Sequence, residues 1–201
     1  MKSLSVLMAL AVLAGSLGSQ STPTLQRRLY VESGLDWKGK PWTGSGGLRA
    51  SSYIEIFYPD HRYISAGVIL GKETEAQETP YIIENEGFSL RAGTWSEDGS
   101  ALSAHSKYVH LDAGVSPYPP PVDERFDTGS PGWTKHGGPL HLQTTVFTEV
   151  RGIRGIEHLE KVAIADSCNL ESKPSDLGNA WATFCQQQAF PKAHADGAGP
   201  Q

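Results

Sequence analysis

The sequence predicts a mainly β protein, an antiparallel meander followed by one C-terminal helix. Two hairpin patterns and one helical pattern carry this prediction. The stretches "SYIEIFYPDHRYISAGVIL" (52–70) and "FSLRAGTWSEDGSALSAHSKYVHL" (88–111) each place strand-forming residues on both sides of a turn. The stretch "SDLGNAWATFCQQQAF" (175–190) has helical spacing. Successive hairpins without helices between them favour a meander over a parallel sheet.

The N-terminus has the pattern of a secretory signal peptide. Lys2 precedes an uncharged apolar run, residues 4–15, and small residues follow it. A run of about 12 residues is too short to span a bilayer, which needs roughly 20, so cleavage is predicted rather than a retained anchor. Ser16 stands where a lipoprotein box has its lipidated cysteine, so no lipid anchor is expected. We therefore expect residues 1–18 to be removed and the mature chain to be secreted or otherwise extracytoplasmic.

Charge limits the partners. The chain has 201 residues with 17 Lys and Arg against 22 Asp and Glu, a formal net charge of −5. Phosphate binding needs a basic patch, and no run of Lys or Arg supplies one, so nucleic acid is not expected as a partner. The length fits one main domain. We place it at 48–190, after an irregular lead-in (19–47) and before a flexible tail (191–201).

The first hairpin, at 52–70, has apolar residues on both faces of both strands. Pro59 and Asp60 form the turn, because Pro presets φ and Asp bonds to its own backbone. A strand with water on one side should alternate more regularly. Two buried faces therefore indicate a small barrel or a sandwich.

The second hairpin turns at Asp98-Gly99, a strong short-range hairpin signal. Trp95 has the opposite parity to Leu90 and Ala92 on the first strand. On the return strand Tyr108 shares a side with Leu102 and Ala104, and His105 faces the other way.

The remaining segments are less regular. Residues 112–138 are rich in Pro and Gly and predict a long connection, of the length that forms lids or spacers. Residues 139–150 predict a strand, and 155–165 are ambiguous between strand and helix.

The predicted helix carries an apolar stripe formed by Leu177, Trp181, Phe184 and Cys185. In an exported chain Cys168 and Cys185 are expected to form a disulfide, which would stabilise the fold by roughly 3 kcal/mol. Two independent free thiols are the alternative.

The two hairpin stretches resemble the lipocalin-like (calycin-type) small barrels of secreted bacterial and fungal proteins over residues 48–112. His61 stands where those domains have the turn glycine. The resemblance implies an up-and-down barrel over 48–190 with an interior for a small apolar ligand, and it implies no catalytic residue.

The sequence contains only weak matches to known catalytic motifs. Asp127 opens "DTGS", the aspartic-protease signature, but the required second motif is absent from the sequence and a charged segment leads into the first. "HGGP" (136–139) has no accompanying nucleophile elbow. His105, His110, His136 and His141 lack metal-ligand spacing, so neither a metal nor a cofactor is expected.

The first hypothesis is therefore a secreted barrel that binds a small, mostly apolar molecule at its mouth, with residues 112–138 as a lid. The expected ligand-binding residues are Tyr53, Phe57, Tyr63, Trp95, His105 and Tyr108. The alternative is an enzyme on the same scaffold, an isomerase, cyclase or hydrolase using His105, Asp127 or Glu55 for acid–base catalysis. A third hypothesis is an interaction module that uses the proline-rich segment as its contact surface.

Overall fold

The fold is a closed antiparallel barrel with two helices against its outer surface. The computed structural model describes residues 27–40, 47–83, 87–111, 118–128, 133–137, 145–169 and 173–188. The elements in chain order are β1 (Arg28–Glu32), β2 (Lys38–Lys40), β3 (Gly47–Phe57), β4 (Arg62–Lys72), β5 (Tyr81–Ile82), β6 (Ser89–Asp98), β7 (Ala101–His110), β8 (Val122–Thr128), β9 (Trp133–Gly137), β10 (Thr145–Glu149), α1 (Ile156–Cys168), a 3₁₀ turn (Pro174–Leu177) and α2 (Asn179–Gln188). The predicted signal peptide and tail lie outside the described residues.

Eight strands close the barrel, which confirms the predicted antiparallel meander. Their order is β3-β1-β10-β9-β8-β7-β6-β4, and β4 pairs again with β3. Apart from β2 and β5, each strand pairs with the next one along the chain, and β10 pairs with β1. The short strands β2 and β5 extend β3 and β4 at one end of the barrel.

Both predicted hairpins are present. The turn between β3 and β4 is held by Asp60, whose Oδ1 accepts a hydrogen bond from the backbone N–H of Arg62 at 3.3 Å. His61 in this turn has φ +67°, in the left-handed region that favours glycine. Gly99, with φ +61°, makes the turn between β6 and β7. Since a hairpin turn fixes the register, these residues determine which side chains face inward.

The buried side chains form two sets, one inside the barrel and one outside it. The inner set is mainly aromatic and comprises Tyr30, Phe57, Tyr63, Trp95, Leu102, Ala104, Phe126 and Phe147. The outer set lies between the strands and the helices and includes Leu29, Ile54, Ile56, Ile64, Leu90, Ile156, Leu159 and Trp181. Two buried faces explain why the strands of the first hairpin are apolar on both sides.

The C-terminal helix forms as predicted and is fixed to the barrel. Trp181 is fully buried, and its Nε1–H donates to the carbonyl oxygen of Gly93 at 2.6 Å. Cys168 at the end of α1 and Cys185 in α2 form the predicted disulfide. The ambiguous segment 155–165 is helical, since it belongs to α1. These contacts hold α2 against one side of the barrel.

Two segments differ from the prediction. Residues 28–32, expected in an irregular lead-in, form β1, whose short alternation places Leu29 outward and Tyr30 inward. The long connection expected over 112–138 contains β8 and β9. Its inward-facing Glu124 is charged, so β8 lacked the apolar alternation by which a strand is recognised. Of the strand predicted at 139–150, residues 145–149 form β10, and 138–144 lie outside the described residues.

Gly93 is required by the close approach of β6 and β7. A Cβ atom there would lie 1.9 Å from the carbonyl oxygen of His105, a backbone atom that cannot move independently. We expect Gly93→Ala to lower the free energy of unfolding by about 3 kcal/mol, measured by urea denaturation. Gly152 is the control, because a Cβ added there would meet nothing within 4 Å, and Gly152→Ala should be nearly neutral. Equal effects of the two substitutions would contradict this packing.

The His61 backbone provides a second prediction. His61→Ala and His61→Gly both remove the imidazole, which lies 3.1 Å from the carbonyl oxygen of Trp95 through Nδ1. The two variants differ in how well the residue at position 61 tolerates a positive φ angle. We expect the glycine variant to be more stable than the alanine variant by about 1 kcal/mol in the same denaturation experiment. A more stable alanine variant would exclude the left-handed conformation.

Candidate functional site

The six residues predicted to bind a ligand do not share one surface. Tyr53, Phe57, Tyr63 and Trp95 lie at inward-facing positions of the barrel strands, and Tyr108 is in register with the buried Arg91. His105 instead points to the outer surface, where its Nδ1 lies 2.6 Å from Asp123 Oδ1. The interior that contains the other five has three layers along the barrel axis.

The first layer is aromatic and fills the end of the barrel next to the two hairpin turns. Phe57 is at its centre, with ring centroids of Tyr63, Trp95, Phe126 and Trp133 at 5.1 to 5.7 Å. Such edge-on and tilted contacts are the favourable ones for aromatic rings. Phe57 and Trp95 are thus in contact with other side chains of this layer.

The second layer is a set of charged side chains across the middle of the barrel. Lys135 Nζ bridges two buried carboxylates, contacting Glu55 Oε1 and lying 2.7 Å from Glu124 Oε1. Arg91 Nη2 donates to Glu124 Oε1 at 2.9 Å. The hydroxyl of Tyr63 lies 2.5 Å from Glu55 Oε2 and 2.8 Å from Glu124 Oε2. Two cations therefore balance two carboxylates, as burial of charge requires. We call these five residues the charged layer.

The electrostatics of the charged layer follow from burial and pairing. Burial raises the pKa of the Glu124 carboxyl, but the positive charges of Lys135 and Arg91 outweigh burial and bring it below its ordinary value. Burial lowers the pKa of the Lys135 ammonium, and Glu55 and Glu124 reverse this and raise it. Burial, followed by the charges of Glu124 and Glu55, raises the pKa of the Tyr63 hydroxyl. At neutral pH the carboxylate of Glu124 and the ammonium of Lys135 are therefore ionised, and Tyr63 is neutral.

The third layer is a groove at the opposite end of the barrel. Its volume is about 470 Å³, and we call it the mouth groove. Tyr53 separates it from the charged layer, since the Tyr53 ring lines the groove and lies 5.5 Å from Lys135 Nζ. Burial raises the pKa of the Tyr53 hydroxyl, so this side chain is neutral. The lining includes Glu32, Ser51, Tyr53, Phe88, Ser89 and Leu111.

The candidate acid–base residues do not come together. Glu55 is fully buried in the charged layer, whereas His105 and Asp127 lie on the outer surface. His105 pairs with Asp123, and Asp127 pairs with His136 at 2.9 Å. His105 and Asp123 border a second groove of about 540 Å³, which we call the outer groove. Their side chains are 58% and 86% exposed, so water has free access to both.

The other histidines also have separate surroundings. His110 Nδ1 lies 2.8 Å from Asp166 of α1, and His141 is outside the described residues. Among the residues that the structure describes, no group of three or more His, Cys, Asp or Glu side chains could hold a metal ion.

Sequence reasoning missed Glu32 and most of the charged layer. Arg91 has the same strand parity as Trp95, which was assigned opposite to the apolar positions Leu90 and Ala92. A charged residue at such a position signals a buried partner of opposite sign. That partner, Glu124, comes from a segment in which no strand was predicted, so the sequence could not supply the pair.

Comparisons with protein-family models, with curated proteins and with solved structures find no match to this chain. In the described part of the chain, no helix has both the length and the apolar character needed to cross a membrane.

The charged layer predicts an acid-sensitive stability. Glu124 has a lowered pKa in the folded protein, so its stabilising contribution is present above the ordinary value of 4.5 and is lost as the pH falls through the folded value. At pH 7, Glu124→Gln should cost about 3 to 5 kcal/mol, because Lys135 and Arg91 lose a buried partner. The difference from wild type should shrink below pH 4.5, as followed by urea denaturation at several pH values.

Glu75→Gln is the matched control, since Glu75 is exposed on the surface. It should change the free energy of unfolding by less than about 0.5 kcal/mol. If Glu124→Gln lowers the free energy of unfolding by the same amount from pH 7 to pH 3, the folded protein does not stabilise Glu124 as a carboxylate.

Proposed function

We propose that the protein is a secreted, lipocalin-like barrel that binds a small molecule with a mostly apolar body in the mouth groove. The main support for this proposal is the way in which side chains divide the interior of the barrel. Aromatic rings fill one end of the barrel interior and paired charges fill its middle, whereas the mouth groove lies at the other end, beyond the charged layer. A volume of about 470 Å³ lies within the usual range of ligand sites.

The lining of the mouth groove supports this chemistry. Phe88, Leu111 and the ring of Tyr53 offer apolar surface, while Ser51 and Ser89 offer hydroxyl groups. Small-molecule sites commonly combine a mainly apolar wall with a few polar groups that fix orientation. Gly67 keeps the groove open, because a Cβ there would lie 2.9 Å from Ser89 Oγ and 3.5 Å from the Tyr53 ring.

Secretion is supported by two features. The disulfide Cys168–Cys185 is typical of an oxidising compartment, and the N-terminal pattern is that of a signal peptide. The same compartment suits a barrel that captures a molecule outside the cytoplasm.

The enzyme alternative has less support. Of its candidate residues, Glu55 is held by Lys135 and Tyr63 and has no exposed surface. His105 and Asp123 form a histidine–carboxylate pair that borders the outer groove. Both side chains face bulk water, whereas acid–base sites usually exclude it.

A neutral fluorescent apolar probe, N-phenyl-1-naphthylamine, tests the proposal. We expect saturable enhancement of its emission by the wild-type protein. Ser51→Trp, at an exposed position that lines the mouth groove, should weaken binding at least tenfold by filling the groove. Ser96→Trp makes the same change at an exposed position in the outer groove and should leave binding unchanged.

The two variants separate the two grooves. Loss of binding in Ser96→Trp but not in Ser51→Trp would move the site to the outer groove. Absence of saturable probe binding to the wild type would refute the proposed binding function.

A further inference from the structure

One carboxylate near the mouth of the barrel, that of Glu32, lies outside the charged layer. In the charged layer, Lys135 and Arg91 neutralise Glu55 and Glu124. Glu32, at the inward-facing end of β1, does not belong to these ion pairs. Among the described residues no cationic side chain forms an ion pair with it. Its carboxylate accepts a hydrogen bond from the backbone N–H of Tyr53.

Glu32 is also the one charged side chain among the described residues that line the mouth groove. The aromatic side chains of Tyr53 and Phe88 line the same groove, and Phe88 is stacked on His110. A carboxylate together with aromatic rings is the combination that proteins use to hold an organic cation.

We propose that the ligand of the mouth groove carries a protonated amino group, which the Glu32 carboxylate binds while the apolar body of the ligand lies against Phe88 and Leu111. This inference rests on the proposed function and adds the chemical class of the ligand, an amphipathic amine. Charge complementarity supports it, since Glu32 lies outside the ion pairs of the charged layer and is the one charged residue lining the mouth groove in the described part of the chain.

The ionisation of Glu32 is consistent with this role. Burial raises the pKa of its carboxyl, the Tyr53 backbone and the charge of Lys135 lower it, and the charge of Glu55 raises it again. A raised pKa means that the folded protein disfavours the ionised form of this carboxyl. An ammonium group beside the carboxylate would counteract the effect of burial by favouring the ionised form. Glu32→Gln should fold with an undiminished melting temperature at pH 7.

Competition among three ten-carbon chains tests the inference. Decylammonium, decanol and decanoate differ only in the head group, and each is titrated against bound N-phenyl-1-naphthylamine at pH 7. For the wild type we expect decylammonium to displace the probe at about a tenfold lower concentration than decanol, with decanoate weakest, as a charge-assisted hydrogen bond predicts. Glu32→Gln should abolish the preference for decylammonium over decanol, and Glu75→Gln should keep it.

The outcomes separate the inference from the proposed function. If decanol displaces the probe and Ser51→Trp prevents this, but decylammonium has no advantage in the wild type, the groove binds small molecules and the amine assignment is wrong. If Glu32→Gln keeps the advantage, the amino group binds elsewhere and the inference is overturned. If the probe itself does not bind to the wild-type protein, the proposed function and the inference are both wrong.

Discussion

The bridge from Lys135 to Glu55 and Glu124 is the interaction on which the arrangement of the barrel depends. It joins β9 to β3 and β8, and Arg91 of β6 joins the same network through Glu124. Strands on different sides of the barrel are thus tied together through its centre. An ion pair this deeply buried tolerates little displacement, because either charge alone would be left without water or a partner. The register of these four strands is therefore specified by charge as well as by apolar packing.

The charged layer also decides what the rest of the interior can do. An entirely apolar interior of eight strands could be hollow or filled with side chains. A ligand in such a hollow interior would meet no polar group to orient it. Here charged side chains occupy the centre, and the mouth groove lies beyond them at one end of the barrel. Tyr53 has one side toward this space and the other toward Lys135, and it shields the charged layer from the groove. The interior thus combines a rigid polar support with a small apolar recess, in which Glu32 is the charged exception.

The sequence predicted those elements whose signals are local. The turns at Asp60 and Gly99 and the apolar stripe that includes Trp181 depend only on neighbouring residues, and each appears as expected. The barrel itself was predicted from the apolar residues on both faces of the first hairpin. The strand β8 was missed because Glu124 is acceptable inside the barrel only through partners on two other strands. The location of His105 on the outer surface was set by the pairing of β7, and strand parity alone does not indicate which face is inward.

The pairing of β1 with β10 has a consequence for how the chain reaches this state. Tyr30 is opposite Glu149, so the sheet cannot close until most of the chain is present. Before that moment two strands have unpaired N–H and C=O groups, which can capture another copy of the same sheet. Contacts between such distant residues also form slowly. A vectorially exported chain would pass through this open-edged stage after β1 has emerged and before β10 follows, and in that interval association competes with closure.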